Sequence, residues 1–202
     1  PWSTVSYRDA LGIVRQAASW VLSQGLSAER PLVILSDNGI DHALFALSAQ
    51  HVGVPSAAIS PAYSLMSRDF DKLKSTIELL DPGAIYVAST KPFAAALAAI
   101  KPLHRAVIVS GNPEDADALA FPAIAATPES PDVAKAFAAV TPDTIAKFLF
   151  TSGSTGTPKL SLLTAANLIA SAEATAQRLG GHGQWLLALP PHHIAGLQVL
   201  LR

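Results

Sequence analysis

The 202-residue sequence contains no cysteine, and only 14% of its residues are charged and 6% aromatic. Without cysteine, a disulfide scaffold and a thiolate metal site are both excluded, which fits a reducing compartment. The net charge is −1 and no basic run occurs, so the composition gives no reason to expect nucleic acid or an anionic membrane as a partner. Neither a membrane-spanning apolar stretch nor a signal-peptide pattern is visible. We therefore expect a soluble, cytoplasmic protein.

Half of the residues are hydrophobic, and their spacing alternates between strand-like runs and helical stripes. Ser6-Tyr7-Arg8-Asp9 has the spacing of a capping box and opens the first helical stripe, which ends near Gly25. Further helical stripes cover about 40–51, 70–80 and 93–100, and short apolar runs cover 31–35, 56–59, 84–87 and 106–109. Strands that are apolar on both faces and alternate with helices predict an α/β fold, a mostly parallel sheet covered by helices.

The segment 111–142 interrupts this alternation, because it is rich in alanine, proline and acidic residues. We expect three regions: a first α/β subdomain at 1–110, a connector at 111–142 with a helix near 132–139, and the start of a second α/β subdomain at 143–202. In the last region the pattern predicts a strand over 145–150, a short apolar run at 160–163, a helix over 165–179, a strand over 185–189 and a helix from about residue 194.

The most informative motif is the nine-residue run Thr-Ser-Gly-Ser-Thr-Gly-Thr-Pro-Lys at 151–159, directly after a predicted buried strand. Gly153 and Gly156 allow backbone conformations that turn successive N–H groups inward. Lys159 adds a positive charge. Hydroxyl donors come from Thr151, Ser152, Ser154, Thr155 and Thr157. This composition predicts a loop that binds a polyphosphate.

The run at 151–159 has three alternative interpretations: a P-loop, a serine-hydrolase motif and a plain surface loop. The glycine spacing differs from that of a P-loop, which has four residues between its glycines before Gly-Lys-Ser/Thr. A serine hydrolase is not favoured, because position 152 is serine and Gly-x-Ser-x-Gly is absent. A plain surface loop rich in glycine and hydroxyls is common in general. The preceding apolar strand and the closing Pro-Lys favour the phosphate-binding interpretation.

A second motif is Leu-Pro-Pro-His-His-Ile-Ala-Gly at 189–196. Two prolines before a helix start place His192 and His193 beside free backbone N–H groups, which suits a carboxylate or a thioester. Adjacent histidines point apart in regular structure, and no acidic residue is close in sequence, so we predict no metal site. The alternative is that both histidines are ordinary residues at a loop–helix junction. Elsewhere, Ser60-Pro61 and Tyr63 follow a predicted strand, where a plain turn is the simpler interpretation.

The run at 151–159 resembles the phosphate-binding signature of the adenylate-forming enzymes, which include the acyl-CoA and aryl-CoA synthetases, the luciferases and the peptide synthetases. Residues 1–159 look like feruloyl-CoA synthetases, and residues 160–202 look more like o-succinylbenzoate-CoA ligases. His193 and Gly196 match the family's Pro-Leu-Phe-His-x-x-Gly segment. Leu160 departs from the pattern, since the family usually has glycine or alanine there, and we expect it to crowd the strand after the loop.

This resemblance implies a partial N-terminal domain of the adenylate-forming fold and an ATP-dependent acid-CoA ligase. The substrates would be ATP with Mg²⁺, CoA and a small aromatic carboxylic acid. Thr155 and Lys159 would be catalytic, with residues 151–157 and 159 holding phosphates and with His193 and Gly196 lining the acyl and CoA channel. The adenine, ribose and second-step residues would lie beyond Arg202, so the chain alone is expected to be inactive. An o-succinylbenzoate-CoA ligase of menaquinone synthesis, a silent nucleotide-binding module, an unrelated α/β domain with a glycine loop, and a homodimer all remain open.

Overall fold

A computed structural model of the protein describes residues 4–114, 117–151, 159–181 and 183. The helices are α1 (Tyr7–Ser23), α2 (Ile40–His51), α3 (Ala62–Leu65), α4 (Asp71–Leu80), α5 (Thr90–Ile100), α6 (Phe121–Ile124), α7 (Pro131–Ala138) and α8 (Ala165–Leu179). The strands are β1 (Leu32–Ile34), β2 (Ser56–Ala58), β3 (Ala84–Ser89), β4 (Val107–Asn112), β5 (Leu119–Ala120), β6 (Ile145–Thr151) and β7 (Lys159–Thr164). The predicted helices and strands appear in the expected order as far as residue 179, and the short elements α3, β5 and α6 are additions that were not predicted.

The seven strands form one sheet in the order β5-β4-β3-β1-β2-β6-β7. Neighbouring strands run parallel except for β6 and β7, which are antiparallel. The chain leaves β1 toward β2 and then returns to β3 on the other side of β1. The prediction of a mostly parallel sheet covered by helices is confirmed.

Strand β1 shows why the sheet has helices on both faces. Leu32 and Ile34 point into a core formed with α1, α2, α6 and α7, whereas Val33 and Leu35 point into a second core formed with α4 and α5. All four side chains are fully buried. A strand that is apolar at every position is stable only when both of its faces are covered, which explains the continuous apolar run in the sequence.

Side chains near the helix ends fix the first and last helices of the described chain. The Ser6 hydroxyl accepts a hydrogen bond from the backbone N–H of Asp9 at 3.1 Å, as the capping-box spacing predicts. Thr164 and Asn167 form a reciprocal capping box at the start of α8. This helix ends at Gly180, whose φ of 83° is a left-handed conformation that glycine adopts without strain. Both helices therefore start and stop where local sequence chemistry dictates.

The segment 111–142 is more structured than a connector. It contains the end of β4, the short strand β5, α6 and the expected helix α7. Phe121 of α6 is 2% exposed, and its ring lies 5.3 Å from that of Phe45 on α2. The apolar contacts of one aromatic residue therefore anchor a stretch whose composition resembles a linker. Strand β6, beyond this segment, joins the same sheet by pairing with β2. The division into two subdomains stays a prediction.

Within the residues that the structure describes, no helix is both long enough and apolar enough to cross a membrane.

Candidate functional site

Strand β6 leads directly into the predicted phosphate loop. Phe148 is 7% exposed and lies in the second core, against which Ile145 and Phe150 also pack. The strand ends at Thr151, and β7 begins at Lys159, its register partner across the antiparallel pair. The two ends of the nine-residue run are therefore held side by side. The predicted phosphate ligands Ser152, Gly153, Ser154, Thr155, Gly156 and Thr157 lie outside the described residues.

The loop leaves the sheet at its carboxyl edge, because β6 runs parallel to β2. Ser56 of β2 is the register partner of Lys147, and the segment that contains Ser60 follows β2 toward the same edge as Thr151. The backbone N–H of Tyr63 donates to the Ser60 carbonyl at 3.0 Å, so the predicted turn leads into the first turn of the short helix α3. In open α/β sheets ligands bind outside the carboxyl ends of the strands. The position of the loop fits that rule.

Lys159 is exposed where it starts β7. Its neighbour Leu160 is 36% exposed and lies in register with Phe150. The expected crowding after the loop is therefore relieved, since the Leu160 side chain reaches the surface instead of the core. The β7 residue Leu162 is 53% exposed, so this strand has one open face at the edge of the sheet.

Strand β6, which leads into the loop, carries a buried lysine, Lys147, that was not predicted. Lys147 is 2% exposed, and burial lowers its pKa to about 8. Its register partner Ser56 is also buried, and the Ser56 hydroxyl accepts a hydrogen bond from Gln50 Nε2 at 3.0 Å. A single lysine within an apolar run on a strand with neighbours on both sides was the signal that could have revealed it. Lys147 places an ionisable group four residues before Thr151.

A second buried polar group lies between α2 and the carboxyl ends of β3 and β4. A Cβ atom added to Gly111 would lie 3.0 Å from Asp41 Oδ2 and 3.0 Å from the Tyr86 hydroxyl. Burial raises the pKa of the Asp41 carboxyl. Burial and, to a smaller degree, the charge of Asp41 raise the pKa of Tyr86. The absence of a side chain at Gly111 lets its backbone approach two polar side chains.

The histidines of the second motif, His192 and His193, and the nearby Gly196 lie outside the described residues. So do the predicted strand over 185–189 and the helix that follows it. Of the other histidines, His42 is 2% exposed, with its Nδ1 atom 3.0 Å from the Asp37 carbonyl. His51 stacks on Phe137 with 4.4 Å between ring centroids. In the described ranges, no three His, Asp or Glu side chains are grouped to hold a metal ion.

Comparisons with known proteins identify the family. A family model described as AMP-binding enzyme matches residues 1–201. Over 60 residues the chain is 62% identical to a probable 2-succinylbenzoate–CoA ligase of Mycobacterium tuberculosis, a match that covers 30% of this chain and 16% of that protein.

Solved structures share the fold at low sequence identity. A crystal structure described as a putative long-chain-fatty-acid CoA ligase from Rhodopseudomonas palustris matches with a TM-score of 0.80 at 18% identity, covering 98% of this chain and 48% of that one. An O-succinylbenzoate coenzyme A synthetase from Bacillus subtilis, in complex with ATP and magnesium ion, matches with a TM-score of 0.70 at 18% identity, covering 99% of this chain and 48% of that one. The chain thus spans less than half the length of each of these relatives. Because the family model matches almost every residue, the chain belongs to the AMP-binding enzyme family.

Proposed function

We propose that the protein containing this chain is an ATP-dependent acid-CoA ligase that activates an aromatic carboxylic acid. The observation that carries the proposal is the Thr151–Lys159 run, whose two ends are paired at the carboxyl edge of the sheet in an AMP-binding enzyme. Hydroxyls, backbone N–H groups and one cation are the donors that suit a polyphosphate.

In the first half-reaction a carboxylate oxygen of the acid attacks the α-phosphorus of ATP, and the bond to pyrophosphate breaks. Thr155 and the loop N–H groups would bind the β- and γ-phosphates, and Lys159 would offset their charge. These donors fit phosphate oxygens, whereas they supply no carboxylate ligands for a metal. Magnesium would therefore arrive on ATP, where it neutralises charge on the phosphates.

In the second half-reaction the CoA thiolate attacks the acyl carbonyl of the adenylate, and AMP leaves. His193 and Gly196 are proposed to line the acyl and CoA channel, on the basis of their match to the family's segment. The family's adenine, ribose and second-step residues are expected beyond Arg202. We therefore expect residues 1–202 alone to give no pyrophosphate exchange above a Thr155→Ala, Lys159→Ala control.

The resemblance of residues 1–159 to feruloyl-CoA synthetases supports a cinnamate-like acid. The second candidate substrate is o-succinylbenzoate. It is favoured by the 62% identity over 60 residues to a probable 2-succinylbenzoate–CoA ligase. Both acids are aromatic, so they share the activation chemistry and differ in the pocket that selects them. A cytoplasmic location and a homodimer are further predictions.

The deciding experiment offers cinnamate-type acids, o-succinylbenzoate and a medium-chain fatty acid to the full-length protein with ATP, Mg²⁺ and CoA. Thioester formation and acid-dependent pyrophosphate exchange are both measured. We expect clear preference for one of the two aromatic acids. Preference for the fatty acid would contradict the aromatic assignment. Binding of ATP without exchange in the presence of any acid would favour a silent nucleotide-binding module instead.

A further inference from the structure

The amino edge of the sheet, opposite the phosphate loop, carries a cavity of about 560 Å³ with a basic lining. Arg30 precedes β1, Asp81 and Pro82 precede β3, and His104 and Arg105 precede β4. Since β4, β3 and β1 are neighbours in the sheet, their amino ends bring these residues around one space. The lining contains two arginines and one aspartate, which gives it a net positive charge.

The backbone fixes the position of Arg30. Its N–H donates to the Ser27 carbonyl, and its own carbonyl accepts from the Ser27 N–H, each at 3.2 Å. A Cβ atom at Gly83 would lie 3.0 Å from the Arg30 carbonyl oxygen and 2.8 Å from Leu26 Cγ, so only glycine lets β3 start this close. The backbone of Arg30 is therefore fixed at the rim of the cavity before any ligand arrives.

His104 is held in a single orientation and tautomer beside the arginines. Its Nδ1 atom accepts a hydrogen bond from the Ala106 N–H at 3.0 Å. Burial lowers the pKa of the ring, with Asp81 opposing the shift, so the ring is neutral at pH 7 and its proton lies on Nε2. Nε2 is buried and has no hydrogen-bond partner among the residues that the structure describes. An unpaired buried donor is unfavourable unless a ligand or water accepts from it.

The guanidinium groups also have unused donors. Within the described ranges, neither Arg30 nor Arg105 makes a side-chain hydrogen bond or an ion pair; the ion pairs found there join Lys74 to Asp71 and Lys101 to Asp117. Arg30 is half-buried and Arg105 is exposed. Each guanidinium offers five N–H donors in a planar fork that matches the oxygens of a phosphate. Two guanidinium groups on separate loops can together bind more than two oxygens. A carboxylate has only two oxygens, so the pair suits a phosphate better.

We infer that this amino-edge cavity is a binding site for a phosphate group, held by Arg30 and Arg105 and separate from the phosphate loop. A six-residue strand such as β3 puts the two edges of the sheet about 20 Å apart, so one phosphate group cannot occupy both sites. The carboxyl ends of α4 and α5 lie at the same edge and carry partial negative charge. The rival role of the two arginines is therefore to stabilise these helix ends, and the experiment must separate the two roles.

The test titrates inorganic phosphate into the full-length protein carrying Lys159→Ala, which weakens the proposed loop site. Calorimetry measures the dissociation constant, and ¹⁵N shifts report on the His104 ring. Arg30→Gln with Arg105→Gln is compared with Arg8→Gln and Arg178→Gln, exposed arginines whose loss changes the net charge equally. Circular dichroism and thermal midpoints verify that every variant folds.

We expect phosphate to bind in the Lys159→Ala background and to shift the His104 nitrogens. Arg30→Gln with Arg105→Gln should weaken this binding at least about tenfold, as expected for loss of charge-assisted hydrogen bonds. The Arg8 and Arg178 pair should leave it within about twofold. Equal affinity in the two double variants would overturn the proposal. So would a lower thermal midpoint of the Arg30 and Arg105 variant with unchanged affinity, which would assign the arginines to the helix ends.

Discussion

The middle of the sheet and its β6–β7 end are built differently, although they share one hydrogen-bonded ladder. At β1 every residue is apolar and buried, and aromatic rings of α2, α6 and β3 pack together beside it. The β6–β7 end instead has a buried lysine on one strand and half-exposed leucines on the next. The middle therefore provides stability, whereas the β6–β7 end, which carries the proposed phosphate loop, accommodates less favourable residues. Substitutions should separate these two contributions.

The largest effect is expected at the loop, on activity and with little change in stability. In the full-length protein, Thr155→Ala with Lys159→Ala would remove the two proposed phosphate contacts, for which about 1.5–3 kcal/mol each is expected. Adenylation should slow by orders of magnitude, while thioester formation from supplied acyl-adenylate changes little. The two half-reactions are measured separately, by pyrophosphate exchange and by CoA consumption. Equal losses in both would contradict a phosphate-specific role.

The next largest effect is expected on the free energy of unfolding, from a substitution in the middle of the sheet. Phe45 is fully buried, and its ring lies 5.3–6.0 Å from the rings of Trp20, Tyr86 and Phe121. Phe45→Ala should lower the free energy of unfolding by about 3–5 kcal/mol, because it leaves a cavity.

The matched control is Leu162→Ala on β7, whose side chain is 53% exposed. It should cost about 1 kcal/mol or less, since little apolar area returns to water. Urea unfolding of the two variants gives the comparison directly. If both variants lost the same free energy, the middle and the β6–β7 end would be equally packed, and the contrast would be wrong.

The third prediction concerns Lys147 and pH. Its pKa falls from 10.5 to about 8 on folding, so the unfolded chain binds more protons between these values. The penalty of burying the charge is therefore fully present below pH 8 and disappears as pH rises toward 10.5. This penalty is at most about 3 kcal/mol, because a pKa difference of one corresponds to about 1.36 kcal/mol. Unfolding free energy should rise over this window in the native chain.

Lys147→Met keeps the length of the side chain and removes its titration. The variant should lose this rise between pH 8 and 10.5, which urea unfolding at several pH values would show as a difference between the two proteins. Other groups that titrate in this range contribute to both proteins and cancel. An unchanged pH profile in the variant would mean that Lys147 keeps its charge by way of its contacts in the folded state.

The sequence predicted elements whose signals are local, and missed features that depend on neighbouring strands. The helix starts at Ser6 and Thr164 and the mostly parallel sheet follow from short-range patterns, whereas the antiparallel pairing of β6 with β7 was not predicted. Burial of Lys147 depends on which strands flank β6, and no spacing rule supplies that. The arginines at the amino edge are far apart in sequence and meet only because β1, β3 and β4 are neighbours.

The predicted connector at 111–142 holds buried apolar residues that its composition did not indicate. Alanine, proline and acidic residues at 111–142 gave the appearance of a linker, yet Phe121 and Ile124 are 2% exposed. Two large apolar residues within a few positions were the local clue to a packed segment. Residues 152–158 and 184–202, which include Thr155 and His193, carry predictions that the described structure leaves untested.

The smallest effects are expected at two glycines, where substitution by alanine should change the free energy of unfolding in opposite directions. At Gly111 an added methyl would lie 3.0–3.1 Å from Asp41 Oδ2, the Tyr86 hydroxyl and the Ala88 carbonyl, and the carbonyl cannot rotate away. Gly111→Ala should therefore destabilise the fold by about 1–3 kcal/mol. At Gly12 on α1 nothing lies within 4 Å of the added methyl. Gly12→Ala should stabilise by about 0.5–1 kcal/mol, because alanine loses less backbone entropy in a helix. Urea unfolding gives both signs, and a neutral Gly111→Ala would show that both α2 and the end of β3 can shift away from Gly111.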